Sequence, residues 1–452
     1  MKDMTHGKPW KVLMTFAIPL ILSGLIQQFY NIADSIIVGN FASAGGAAIT
    51  GEDALAAVSA SSTITMLFIM LGNGGSMGCG VVISQLFGGK RFAELKTTLY
   101  TSLIFFGIMA LAMMVIGSIV AEPLTSIMNT PDKIFEPAVD YLRIYMFGLP
   151  FLFIYNVCNA IFNAIGDSRK PLYFLIFSTI FNIALDYIFV AKCGWAVKGV
   201  AWATFIAQGT ACFLSLFTLL YKTKKIDTGN AHISLFDTRK LKSMLRIGVP
   251  SMLQMSIVSV GSLLVQALVN GFGPAFMAGY GSASRIHHFM STTVNTMGSA
   301  ISTYTAQNIG AGRHDRVGEG IKASLTFMFS MTCVLTVITY IFGGDLVGLF
   351  SDDTSVEAMN AGVFYLRLIV VSLIPFSVFN CLNGVARGAG YMPAFTLSTL
   401  TDLGVRVAFA YAFVSVFDRN VIAISVTVGW VIGMIVSLGF HLTGRWKNAK
   451  KV

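Results

Sequence analysis

Apolar residues gather into twelve long runs, separated by polar stretches or by Gly and Pro. The runs cover 12–41, 54–85, 97–120, 137–161, 171–191, 199–221, 245–271, 276–307, 320–342, 362–384, 394–416 and 421–443. Each can form a helix that crosses a bilayer, which takes about 20 residues. The first, second and eighth runs exceed that length, so tilting or bending is expected, with Pro19 and Pro250 as natural kink points. The glycine-rich Gly72–Gly80 lies inside the second run and lacks the Lys-Ser/Thr of a phosphate loop. Close helix packing through small residues is its expected role. The pattern predicts an all-α polytopic membrane protein with twelve transmembrane helices.

Composition narrows the class. Hydrophobic residues make up 55% of the 452 positions and charged residues 12%, half the usual share of about 25%. The mean hydropathy of +0.73 excludes a soluble enzyme, a disordered chain and a protein with a single anchor. A net charge of +10 would suggest nucleic acid in a soluble domain, but its distribution gives another explanation. With both termini in the cytoplasm, 23 of the 31 Lys and Arg fall in or beside cytoplasmic segments and only Lys133, Lys192, Lys198 and Arg419 in outer loops. That is the positive-inside pattern of a multi-pass protein of a bacterial or archaeal plasma membrane, with no nucleic-acid partner. Outer loops are acidic instead (Glu52, Asp53, Glu122, Asp132, Asp345, Asp352, Asp353). Five of the six dispersed cysteines lie in apolar runs, so buried free thiols are expected and a metal site is not.

The two halves repeat. At an offset of 222, Gln85–Leu103 lies on Gln307–Leu325, Gly166 on Gly388 and Pro171 on Pro393. At 224, Tyr141-Leu142-Arg143 lies on Tyr365-Leu366-Arg367, and at 231 Pro19 lies on Pro250. A longer first outer loop, 41–54, absorbs the difference. Each half has six helices, so the halves are parallel repeats with a cleft between them. The expected organisation is an N-terminal lobe over 1–221, a cytoplasmic linker over 222–244 and a C-terminal lobe over 245–452.

Of the 21 acids, only Asp34, Asp186 and Asp402 fall well inside predicted helices. An ionisable group in a membrane marks function by default. At about 1.5 Å per residue, Asp34, Asp186 and Thr204 all lie roughly 8–10 Å below the outer end of their helices. Asn182 shares a face with Asp186, while Gln27, Tyr30, Asn31 and Asp34 form one polar stripe on the first helix. Two carboxylates, an amide and a hydroxyl can ligate a small cation, or the acids can share one proton. A lone Asn or Thr more often only ties helices together, whereas two acids at one depth favour a site. The second half does not reproduce them: Asp34 falls opposite Val265 and Asp186 opposite Ala408. Asp402 and Arg406, one turn apart, are expected to neutralise each other as a structural pair. Arg143 and Arg367 are expected to snorkel near outer helix ends. Arg285, His287 and His288 are expected to line the cleft without forming a metal site.

The segments QQFYNIADSIIVG (27–39), QLFGGKRFAEL (85–95), GDSRKP (166–171) and NIALD (182–186), with Pro19, resemble the multidrug and toxic compound extrusion (MATE) family. The likeness covers the whole chain. It is closer to the DinF-like branch than to the NorM-like branch, because no acidic pair stands in the C-terminal half. The resemblance implies a cation or proton site of Asp34, Asn182, Asp186 and Thr204, with Gln27, Tyr141, Asn156 and Asn159 as polar neighbours. It also implies export of amphipathic, often cationic, drug-like small molecules in antiport with Na⁺ or H⁺. Partners are then substrates and membrane lipids around a monomer, with no cofactor, nucleotide or catalytic residue. A lipid-linked oligosaccharide flippase of the same superfamily is the nearest alternative. A membrane-embedded enzyme or receptor would need a constellation or domain that the sequence does not display.

Overall fold

The computed structural model describes residues 2–41, 50–229, 231–350 and 355–448. Long helices account for nearly all of it. They are α1 (Pro9–Phe41), α2 (Gly51–Gly88), α3 (Phe92–Ile127), α4 (Asp132–Ala164), α5 (Arg169–Asp186) and α6 (Ala196–Lys224), then α7 (Thr238–Asn270), α8 (Pro274–Gly310), α9 (His314–Gly348), α10 (Val356–Gly388), α11 (Met392–Ala412) and α12 (Val421–Leu442). Each coincides with one predicted run, so the twelve-helix fold class holds. Ten are long and apolar enough to cross a membrane. The other two, α8 and α11, carry Arg285, His287 and His288, and Asp402 and Arg406. Most of the first outer loop and Asp352 and Asp353 lie outside the described residues.

Most helices extend past the predicted runs because polar ends complete their turns, while α5, α11 and α12 stop short of theirs. Thr50 caps α2, its side chain accepting from the amide of Asp53, and Ser355 caps α10 through the amide of Ala358. Pro19 and Pro250 both lie inside helices. Non-helical backbone appears instead in α9, at Phe342 (φ −108°, ψ 15°).

Two compact units emerge, and neither follows the sequence halves. The first comprises residues 1–2 and Leu22–Met252, the second Asp3–Ile21 and Leu253–Val452. The divisions fall inside α1 and α7, just beyond Pro19 and Pro250, while residues 222–244 lie within the first unit. Glycines explain the hold of the first unit on the start of α7. A Cβ on Gly74 would strike the backbone of Met252, and one on Gly78 the backbone of Met244 and Gly248. The glycine run is therefore a packing surface. In the second unit, Leu13, Phe16 and Ala17 of α1 are buried with Val294, Met297 and Ile301 of α8.

The repeat is visible in hydrogen bonds. Gly89 N donates to Gln85 O and Arg91 N to Leu86 O, as Ala311 N does to Gln307 O and Arg313 N to Asn308 O. Lys90 and Gly312 take left-handed backbone at the matching place (φ 57° and 75°). The turn after α4 corrects the sequence alignment. Gly166 (φ 76°) matches Gly390 (φ 75°), not Gly388. Asp167 N donates to Phe162 O as Tyr391 N does to Ala386 O. The offset there is 224, which moves the counterpart of Asp186 from Ala408 to Ala410. All six cysteines are free, but Cys333, expected buried, is exposed on its helix.

Candidate functional site

In the first unit, α1, α5 and α6 bring four predicted residues together. Asn182 and Asp186 are each 1% exposed, and Thr204 is buried. With its amide turned so that the nitrogen faces the acids, the orientation that satisfies every neighbour, Asn182 ties them: its nitrogen donates to Asp34 Oδ1 (3.1 Å) and Asp186 Oδ2 (2.9 Å), and its oxygen accepts from Thr204 N (3.3 Å). The carboxyl groups of Asp34 and Asp186 also lie within hydrogen-bonding reach of each other. Two carboxylates in that contact repel unless a proton or a cation stands between them. Among the described residues the buried Asp186 Oδ1 has no hydrogen-bond partner, and the Thr204 hydroxyl faces that of Tyr30. Such a carboxylate oxygen is costly to bury unsatisfied, and its hard-oxygen chemistry suits H⁺ or Na⁺.

Neighbours fall into two groups. The Tyr30 hydroxyl reaches Asp34, and Tyr30 and Tyr141 both feel the charges of Asp34 and Asp186. Gln27 and Asn31 are exposed on α1 and join no hydrogen bond to the four residues. Asn156 and Asn159 on α4 each keep one buried side-chain atom unpartnered, Nδ2 and Oδ1 respectively.

Three features escaped the sequence reading. A π-helical turn, Tyr187–Lys192, follows Asp186 directly, a distortion common at functional sites. Tyr145 stacks on Tyr141 at 6.2 Å and hydrogen-bonds Gln208. Their i, i+4 spacing on α4 was the available signal for the stack; the π turn has none in YIFVAK.

In the second unit Asp402 and Arg406 pair as expected, Nη2 donating to Oδ1 (3.1 Å) and Oδ2 (3.2 Å). His287 Nδ1 lies 3.0 Å from the Tyr365 hydroxyl. Arg143 bonds Glu122 at 2.9 Å, and Arg367 reaches the carbonyl of Tyr340 at 3.3 Å. Among the described residues no cluster of three His, Cys, Asp or Glu could hold a metal ion.

Comparison with known proteins finds relatives over the whole chain. The chain is 26% identical over 453 residues to the Bacillus subtilis "Probable multidrug resistance protein YpnP", covering 99% of this chain and 98% of that one. It is 24% identical over 389 residues to the "Multidrug export protein MepA" of a Staphylococcus aureus strain, covering 84% and 82%. Among solved structures, an outward-facing multidrug resistance MATE family transporter of the MOP superfamily superposes with a TM-score of 0.89 at 22% identity, covering 100% of this chain and 99% of that one. That likeness shows a shared fold. The MatE family itself matches residues 19–188 and again 250–412, once in each repeat and starting at the paired prolines. The chain belongs to the MatE family.

Proposed function

We propose that the protein is a plasma-membrane exporter of amphipathic, drug-like small molecules, driven by entry of a monovalent cation at the Asp34–Asp186 pair. The observation that carries this reading is the approach of two carboxyl groups that share the buried Asn182 amide as donor. The relatives are named for multidrug resistance and export, which supports the substrate class.

The two compact units act as lobes, with both termini in the cytoplasm. Cation and substrate favour opposite conformations, so occupation by one drives release of the other. With one proton shared, the pair carries a single negative charge. Loss of that proton leaves two charges in a site that holds one comfortably, and an organic cation then relieves the repulsion. The direct carboxyl contact favours H⁺ over Na⁺, because a shared proton needs no ligand sphere. As a DinF-like member, the chain concentrates its ion chemistry in the first repeat.

The test is efflux of a cationic dye from proteoliposomes, with pH and Na⁺ gradients imposed separately. A pH gradient alone should drive efflux, and Asp34→Asn and Asp186→Asn should each abolish it. Normal gradient-driven efflux in both variants would sink the reading. Efflux driven by Na⁺ alone would reassign the ion.

A further inference from the structure

We infer that the second unit carries a separate ligand site, centred on Arg406, that takes the carboxylate of an aromatic acid. This goes beyond the proposed function, since it lies in the other unit and has the opposite polarity.

The repeat defines the position. At the offset of 224 set by Gly166 and Gly390, Tyr365 stands where Tyr141 stands in the first unit, and Arg406 stands where Asn182 does. Ala410 replaces Asp186. The amide that binds two carboxylates in one repeat is thus a guanidinium in the other, with an alanine in place of the acid. An acid site has a basic counterpart.

The pair with Asp402 does not exhaust Arg406. Only Nη2 bonds Asp402, and the buried Nε has no partner, out of five N–H donors on a guanidinium. Asp402 is closed off behind: a Cβ on Gly429 would sit 2.6 Å from its Oδ1, and one on Gly433 would sit 3.1 Å from its Cβ. Its side chain is 8% exposed against 18% for Arg406. The open side of the pair is therefore the cationic one. A purely structural pair would not need the spare buried donor.

Aromatic groups surround that side. Trp430 lies under the guanidinium at 5.9 Å, stacks on Phe376 at 4.2 Å and meets His287 edge-on at 5.6 Å. Tyr280, Tyr365 and His287 all feel the charge of Arg406. A planar fork of N–H donors reads a carboxylate, and flat apolar walls read an attached ring.

Equilibrium binding of radiolabelled 2-naphthoate to the full-length protein in nanodiscs tests this. Saturable binding is expected, displaced by unlabelled 2-naphthoate and not by neutral 2-naphthamide. Arg406→Gln combined with Asp402→Asn, which removes both charges together, should weaken it by about tenfold or more. Trp430→Leu, which keeps both charges, should weaken it by about tenfold and decides the matter if the double variant does not fold. No saturable binding, equal displacement by the amide, or unchanged affinity in the variants would overturn the site. The assay uses no gradient, so failure of ion-coupled efflux would leave its outcome untouched.

Discussion

Asp34 on α1 and Asp186 at the end of α5 meet carboxyl to carboxyl, and the Asn182 amide donates to both. Replacing that amide by a carboxylate removes both donors and adds a third negative group. Asn182→Asp should therefore lower gradient-driven dye efflux by roughly tenfold or more, as expected when buried like charges accumulate. Asn182→Ser, which keeps one donor, should retain a measurable fraction. Initial efflux rates in proteoliposomes check both.

Gly429 is fixed by its neighbour. A methyl group there would intrude on Asp402 Oδ1 at 2.6 Å and on Arg406 Cβ at 3.2 Å. Gly429→Ala should cost about 1–3 kcal/mol of stability, the usual range for overpacking. Gly439→Ala, with nothing within 4 Å of its Cβ, should leave the unfolding temperature nearly unchanged. Thermal unfolding of the two variants in detergent gives the contrast.

Two left-handed glycines separate strain from collision. Gly166 (φ 76°) and Gly312 (φ 75°) share a conformation that alanine adopts at a cost of about 1–2 kcal/mol. A Cβ on Gly166 would also strike the carbonyl of Lys2, whereas Gly312 faces open space. Gly166→Ala should lower the unfolding temperature by clearly more than Gly312→Ala. Equal shifts would show that the N-terminal contact carries no energy.

The N-terminal segment is tied down by buried polar groups. Met4 N donates to Gln307 Oε1 (2.9 Å), and Arg313 Nη1 donates to Thr5 O (2.5 Å). Gln307 is wholly buried, so Gln307→Ala strands the Met4 amide at a cost of about 1–3 kcal/mol. Hydrogen-exchange mass spectrometry should show faster exchange over residues 3–7 in that variant. Exchange over α5 should be unaltered.

The long helices were legible because apolar runs of membrane length have no soluble alternative, and the acids were legible because so few exist. Depth along their helices put Asp34, Asp186 and Thr204 on one level, and Asn182 does join all three. Asn182 was placed beside Asp186 by helical spacing, but its part as the bridge to Asp34 depends on how α1 and α5 approach each other. No local pattern encodes that. The π turn at Tyr187–Lys192 was illegible because YIFVAK holds no residue that marks one. The counterpart of Gly166 was misjudged by two residues because Gly388 and Gly390 both offer a glycine and only backbone angles tell them apart.

Each unit borrows a piece of the other repeat: Asp3–Ile21 belongs with the second, and residues up to Met252 with the first. A cut in the 222–237 segment therefore yields no self-sufficient fragment, because each product lacks one stretch that its unit requires. The arrangement is that of a segment-swapped dimer whose two copies have been fused into one chain. Half-proteins expressed together would have to exchange these segments in order to assemble.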